Sequence, residues 1–398
     1  MTEAYFQKLN TTLKAYKRAV PSLLIDLDQL DKNIRELKKM IAPGKAFRIV
    51  VKSLPAIPLL DYIMEQTGTH KLMVFHEPFL LALAQHYGDA VDLLMGKPMP
   101  VQTARHFYLT LDKAASFRTE RQLQWLIDTE ERLQQYLALA RAHKACLRVN
   151  LELDIGLHRG GFKELTSLRR ALQLIQQHPD QLQFSGFMGY DPHVALLPKL
   201  VRPASKSFRL ANAYYQKCID LVRGDFPALW HEQLTFNGAG SPTLAFHQEE
   251  ASVLNDIAVG SALVKPASFD LPSLAQFQAA CVIATPVLKK LQGTTLPGLE
   301  KWTRLLAFWR PKLRQSYFIY GGYWKAEYCY PPKTSENQLF GSSTNQSMIN
   351  TAANTCLEVD DFVFLRPKQS EFVLLQFGPL LAIRNFEVLA EWPVLPVV

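Results

Sequence analysis

A lysine that closes an apolar run is the first residue in this chain with a clear chemical use. Phe47-Arg48-Ile49-Val50-Val51-Lys52-Ser53 is β-branched at three successive positions and reads as a strand buried on both faces, with Lys52 at its end. A lysine so placed either returns its ammonium to water or sits on a rim where loops gather. On such a rim desolvation lowers its pKa, and a neutral amine can attack a carbonyl to form a Schiff base.

Further stretches carry compatible chemistry. Asp154-Ile155-Gly156-Leu157-His158-Arg159-Gly160-Gly161-Phe162 is a glycine-rich loop that either aims Arg159 inward or leaves it solvated in an ordinary turn. Gly189-Tyr190-Asp191-Pro192-His193 ends another strand; Tyr190 can cover an aromatic ring and His193 lies within reach, unless both are simply core residues. Asn237-Gly238-Ala239-Gly240-Ser241-Pro242-Thr243 exposes successive N–H groups followed by hydroxyls, a pattern that cradles phosphate without a lysine. Val259-Gly260-Ser261 supplies a second small-residue loop one unit later. A plain glycine turn is the alternative for both. Taken together they ask for a phosphorylated aromatic cofactor that carries an aldehyde, and pyridoxal 5′-phosphate meets all three conditions. Lys52 would hold its aldehyde carbon, the two small-residue loops its phosphate, Tyr190 its ring face and Arg159 its edge.

The elements needed to bring these residues together are legible as alternating strands and helices. Short strands are expected at Ser22–Asp26, at the Lys52 run, and at 70–75, 90–96, 124–129, 146–153, 184–190 and 234–237. Asp256-Ile257-Ala258-Val259-Gly260 is a ninth apolar piece that closes the ring or extends a strand. Roughly eight βα units in ~250 residues fit a (β/α)8 TIM-type barrel, with an open doubly wound sheet as the competitor. The barrel is expected over 21–270. A C-terminal all-β domain follows over 271–398, with strands at 276–291, 316–320, 362–365 and 372–377, and residues 1–20 pack on it. Thr294 to Pro311 is a tryptophan-bearing insertion with no assigned element.

Composition narrows the class. The 398 residues, 48% hydrophobic and 20% charged, are enough for two cores. The net charge of +8 suits an anionic ligand, but the basic residues are dispersed, so nucleic acid is not expected. Cys146, Cys218, Cys281, Cys329 and Cys356 form no CxxC pair, which argues against a zinc knuckle or disulfide framework. No 18-residue apolar span or signal-like start is present, so no membrane association and a cytoplasmic location are expected.

The pattern resembles the fold-type III pyridoxal enzymes, the alanine racemase barrel superfamily, and within it the D-threonine aldolase and D-serine dehydratase-like branch. The resemblance runs from Pro21 to the C-terminus. It implies Lys52 as the Schiff-base lysine, Arg159 beside the cofactor's phenolic oxygen and Tyr190 against its ring. It also implies phosphate bound by Gly240, Ser241, Gly260 and Ser261 with Asn237 nearby, and a homodimer. Three departures stand out. Where metal-activated members carry Pro-x-His-x-Cys or Pro-x-His-x-Asp, this chain has Pro367-Lys368-Gln369-Ser370-Glu371; Gln369 and Glu371 suit Mg²⁺ or Mn²⁺ better than zinc, and whether any metal binds stays open. Ala258 stands where racemases place an arginine that meets the pyridine nitrogen. A family Asp-Ala-Gly has become Tyr320-Gly321-Gly322, with Tyr323, Lys325, Tyr328 and Cys329 close behind. The expected activity is that of a lyase on a small β-hydroxy amino acid of D configuration, cleaving Cα–Cβ or eliminating at Cβ. Lys52 is the leading catalytic residue, and a tyrosine or His193 is its acid–base partner. A racemase or epimerase, a non-enzymatic carrier of the cofactor, and an unrelated barrel are the alternatives.

Overall fold

The computed structural model describes residues 1–398 except 17, 113, 199, 249–251, 296–297, 299–314, 353 and 397–398. The tryptophan-bearing segment Thr294 to Pro311 therefore lies largely outside the described residues. In chain order the strands are β1 Ser22–Asp26, β2 Ala46–Val50, β3 Lys71–Val74, β4 Asp92–Met95, β5 Leu123–Ile127 and β6 Leu147–Glu152. They continue with β7 Leu182–Gly189, β8 Thr235–Gly238, β9 Asp256–Val259, β10 Cys281–Leu291, β11 Ser316–Tyr320 and β12 Ala326–Tyr330. The last five are β13 Ser335–Glu336, β14 Gln346–Asn350, β15 Phe362–Pro367, β16 Leu380–Arg384 and β17 Glu387–Trp392.

Strands β2 to β9 form a closed parallel barrel, with helices between successive strands as parallel crossovers require. The ring closes where β2 pairs with β9, from Ala46 opposite Asp256 to Ile49 opposite Val259. Apolar residues are buried along every strand, but the barrel interior also holds a hydrogen-bonded polar set in which Gln124 meets Asp92 and Thr235, and Asn150 meets Gln124. Its centre is an arginine in a layer near the strands' N-terminal ends. Arg48 is fully buried, and its Nε and Nη2 donate to the two carboxylate oxygens of Asp256 at 2.8 and 2.9 Å. Its Nη1 reaches Asp92 Oδ1 at 2.7 Å. Burial alone would raise the pKa of Asp256, but Arg48, joined by Lys71 and Asn237, outweighs it and holds that carboxyl below the usual carboxylate range.

The first strand corrects the expected barrel. β1 pairs antiparallel with β10, from Ser22 opposite Ala284 to Ile25 opposite Cys281, and parallel with β16. All five of its residues are buried, so locally it is indistinguishable from a barrel strand, and only its long-range partners decide its sheet. The Asp256–Val259 piece fills the vacated place in the ring. Chain contacts accordingly divide the molecule into one unit of Met1–Asn33, Leu263–Asp270 and Gln276–Val394 and another of Ile34–Ala262, Leu271–Ala275 and Leu395–Val398.

The first unit is built on a nine-stranded, mostly antiparallel sheet in the path β13-β14-β11-β10-β1-β16-β17, with β15 joining β10 to β12. Helix α1, Glu3–Ala15, lays Phe6, Leu9 and Leu13 onto Leu24, Val282, Phe362, Phe364 and Ile383 of this sheet. The strand expected at 372–377 is instead a single 3₁₀ turn over Val373–Leu375, entered through Phe372 at φ 61°. Hydrogen bonds from Leu374 N to Ser370 O and from Leu375 N to Phe372 O curl the run before it can pair, and Leu380–Arg384 supplies the strand.

Removing Asp256 leaves Nε and Nη2 of Arg48 buried without their acceptors while Nη1 keeps Asp92, at about 3 kcal/mol. Asp256→Ala is therefore expected to lower the urea-unfolding free energy of the protein by about that amount. A loss under about 1 kcal/mol would show that the Arg48 layer contributes little.

Candidate active site

The residues singled out by their chemistry sit on loops at the C-terminal ends of the barrel strands. Lys52 lies in a 3₁₀ turn, Val51–Ser53, directly after β2, and its Nζ stands 4.2 Å from the centre of the Phe75 ring, just beyond β3. The turn is fastened to the loop after β9. Ser53 Oγ and Ser261 Oγ share a hydrogen bond of 3.0 Å. A Cβ on Gly260 would come within 2.8 Å of Val50 O and 2.9 Å of the Ser53 Cβ, so a glycine is required for these loops to meet.

The next loop on the rim is joined the same way. Ser241 Oγ accepts a hydrogen bond from Ala262 N at 2.9 Å, leaving its own hydroxyl proton to donate elsewhere. A Cβ on Gly240 would lie 2.9 Å from Cε2 of Tyr190, which places the tyrosine ring directly on this loop. The same ring meets Arg159, whose guanidinium carbon is 4.9 Å from the ring centre. The Arg159 loop is shaped by Asp154, whose Oδ1 accepts from Gly156 N at 3.1 Å and His158 N at 2.8 Å. Arg159, Tyr190, Gly240, Ser241, Ser261, Gly260, Ser53, Lys52 and Phe75 thus form one continuous arc around the rim.

His193 opens the short helix His193–Leu196 after β7 and is buried, with Nδ1 making no hydrogen bond. Its Nε2 would stand 3.1 Å from a Cβ on Gly156, so that glycine leaves room for the ring. Burial lowers the pKa of His193 against the opposing pull of Asp191, so the imidazole is neutral at pH 7 and has a nitrogen able to take a proton. Asn237 does not join this arc through its amide nitrogen. Its Nδ2 donates to Asp256 Oδ1 at 2.6 Å in the polar layer, because Asn237 lies opposite Asp256 in register.

Two features went unread in the sequence. Glu152 ends β6, and since Arg148, Asn150 and Glu152 alternate along the strand, it shares their face. Burial pushes its carboxyl up to about 7, with Arg159 pulling the other way. That polar alternation was the available signal. The second is a buried pair, Asp191 and His247, whose separation of 56 residues leaves no local signal.

Gln369 and Glu371 belong to the sheet unit. The Gln369 amide oxygen accepts from Lys325 Nζ at 2.7 Å, and its Nε2 donates to Glu371 O at 3.4 Å. An ammonium on the one neutral oxygen donor opposes a divalent cation there, and no cluster of three His, Cys, Asp or Glu is found among the described residues. This donor set does not fit a metal ion. No helix among the described residues is long and apolar enough to cross a membrane.

A carboxyl whose folded pKa is raised binds its proton more tightly in the folded state. The Glu152 contribution is therefore full below pH 4.5, the ordinary value, and is lost as pH rises through about 7. Wild type is expected to lose on the order of 3 kcal/mol relative to Glu152→Gln between pH 4.5 and 8, read from urea midpoints. Parallel stability curves for the two proteins would contradict this.

Solved structures share the fold along most of the chain. A D-threonine aldolase from Filomicrobium marinum aligns with TM-score 0.70 and 16% identity over 94% of each chain. A D-threo-3-hydroxyaspartate dehydratase from Delftia sp. HT23 aligns with TM-score 0.72 and 14% identity, covering 97% of this chain and all of the other. An alanine racemase from Bacillus anthracis gives TM-score 0.70 at 15% identity over 94% and 98%. By sequence, an alanine racemase of Limosilactobacillus reuteri (strain DSM 20016) is 29% identical over 169 residues, a match that spans 42% of this chain and 42% of that relative's length. Residues 25–267 match the family model described as alanine racemase, N-terminal domain, and this chain belongs to that family.

Proposed function

We propose that this chain is a pyridoxal 5′-phosphate-dependent lyase acting on a small β-hydroxy amino acid of D configuration. Enzymes of this family use pyridoxal 5′-phosphate. The observation that carries the reading is the arc itself: one amine, one aromatic face backed by a guanidinium, and two glycine–serine loops tied edge to edge. The fit rests on closeness that side chains would prevent. At Gly240 and Gly260 a Cβ would press on Tyr190 and Val50, so only glycine lets these two loops pack against the tyrosine and the Lys52 turn.

In this reading Lys52 holds the cofactor's aldehyde, Ser241, Ser261, Gly240 and Gly260 hold its phosphate, and Tyr190 and Arg159 border its ring. When bound, the cofactor supplies a conjugated ring that accepts the electron pair released at the substrate's Cα. The chain's own contribution is proton handling. Lys52, once displaced, is an amine able to take or give a proton. His193, in the short helix after β7, is a neutral imidazole and the candidate to accept a proton from a substrate hydroxyl. A neutral imidazole is a better base toward a β-hydroxyl than an acid toward a departing hydroxide, which favours Cα–Cβ cleavage over β-elimination. No step is assigned to a metal ion, because Lys325 and Gln369 do not make a site for one.

Racemisation remains the competing chemistry, since it uses the same cofactor with a second proton-transfer group on the opposite face. Ala258, where the resemblance leads one to expect a racemase arginine, disfavours it. Incubating the cofactor-loaded enzyme with single enantiomers of β-hydroxy amino acids separates the outcomes. An aldehyde plus a shortened amino acid is expected from the D substrate; formation of the mirror amino acid alone would overturn the lyase reading in favour of racemisation. His193→Ala should lower kcat about 10²–10⁴-fold if His193 is the general base. Chelation with EDTA is expected to leave turnover unchanged, and loss of activity restored by Mg²⁺ or Mn²⁺ would contradict the metal-free assignment.

A further inference from the structure

Behind the rim, the loops after β7 and β8 converge on a single carboxylate. Asp191 lies between Tyr190 and His193 in the chain and is almost wholly shielded from solvent, at 1% exposure. Its Oδ2 is 2.7 Å from His247 Nε2, and its Oδ1 accepts from Thr243 Oγ1 at 2.7 Å. Thr243 N in turn donates to Gly240 O at 3.0 Å. Since a carboxylate only accepts, Nε2 of His247 carries the proton of that bond. The other ring nitrogen is 2.8 Å from Ser252 Oγ, the ring edge meets Phe208, and Lys45 Nζ donates to the His247 carbonyl at 3.1 Å. His247 itself is 4% exposed, so salt and water screen the pair little.

Neither Asp191 nor His247 belongs to the arc, yet Asp191 and its partner Thr243 both lie close in the chain to the site residues. Tyr190 is adjacent to Asp191, His193 is two residues on, and Gly240 is one hydrogen bond away through Thr243. We infer that His247 is a positioning residue of the catalytic rim, acting through Asp191 to hold the Tyr190–His193 loop and the Gly240–Ser241 loop as one piece. The inference rests on the reading that these loops bind pyridoxal 5′-phosphate, which makes their relative placement a term in cofactor affinity. A slip between them would move the aromatic face against the phosphate loop. It would also carry His193 away from the substrate side, since both share the backbone that Asp191 anchors.

The test compares wild type with His247→Leu, His247→Gln and Thr243→Val. Two readouts are used: affinity of the apoprotein for pyridoxal 5′-phosphate, followed by tryptophan fluorescence, and amide hydrogen exchange of the apoprotein. His247→Leu leaves Asp191 Oδ2 buried without its donor and should weaken the affinity about tenfold or more. Exchange should quicken in residues 187–197 and 238–244, while β3 and β4 keep wild-type protection. Glutamine can still donate to Asp191 and should restore most of the affinity, an outcome that loss of packing alone would not give. Affinity of His247→Leu within about threefold of wild type, or quickened exchange spread evenly over all barrel strands, would overturn the inference. Should that variant fail to fold, Thr243→Val decides, because it removes only the other bond to Asp191 and must shift both readouts in the same direction. If wild type takes up no pyridoxal 5′-phosphate, the cofactor reading falls, and the exchange pattern alone then decides whether the two loops are held together.

Discussion

The seam between β2 and β9 is the constraint on which the site depends. A parallel barrel of eight strands must close edge on edge, and here closure is stitched at both ends of one strand pair. Toward the N-terminal ends, Arg48 grips Asp256 through two parallel hydrogen bonds in the polar layer. At the C-terminal ends, Gly260 lies against Val50 and Ser53, and Ser53 meets Ser261. Lys52 lies between these C-terminal contacts in the chain. Its position beside the glycine–serine loops is therefore a consequence of ring closure and not of local preference. A change that loosened the seam would separate the amine from the glycine–serine loops even with every rim residue intact.

Electrostatics around the rim run in two directions. Arg159 supplies a fixed positive charge on one side of Tyr190. Glu152 and His193, both buried, are pushed toward their neutral forms, Glu152 upward and His193 downward in pKa. Glu152, with its carboxyl pushed up to about 7, exchanges a proton near neutrality, whereas the strongly paired Asp256 and Asp154 are held ionised. The groups held neutral and the groups held charged are thereby separated by environment and not by residue type.

Much of this site is legible in the sequence because it depends on local signals. Lys52 is visible as the polar end of an apolar strand, and the two phosphate-type loops are visible as glycine–serine turns following strands. What escapes is whatever depends on distant pairing. Ser22–Asp26 is buried at every position and carries no mark saying that Cys281 and Leu381 will be near it, so it reads as a barrel strand. Asn237 has the composition of a loop ligand, but its register with Asp256 turns its amide nitrogen into the polar layer. Phe372 to Phe377 has strand-forming residues, yet it is overridden by a turn that local hydrogen bonding stabilises. Asp191 and His247 each look unremarkable in the chain and acquire a role only when β7 and β8 lie side by side.

The central claim is that the amine of Lys52 is the covalent anchor for an aldehyde-bearing phosphorylated cofactor. Reduction with borohydride after loading with pyridoxal 5′-phosphate, followed by peptide mass mapping, addresses it directly. One pyridoxyl group on the peptide containing Lys52, absent when Lys52→Ala is treated identically, is the expected result. A pyridoxyl group on another lysine, or equal labelling of both proteins, would contradict it.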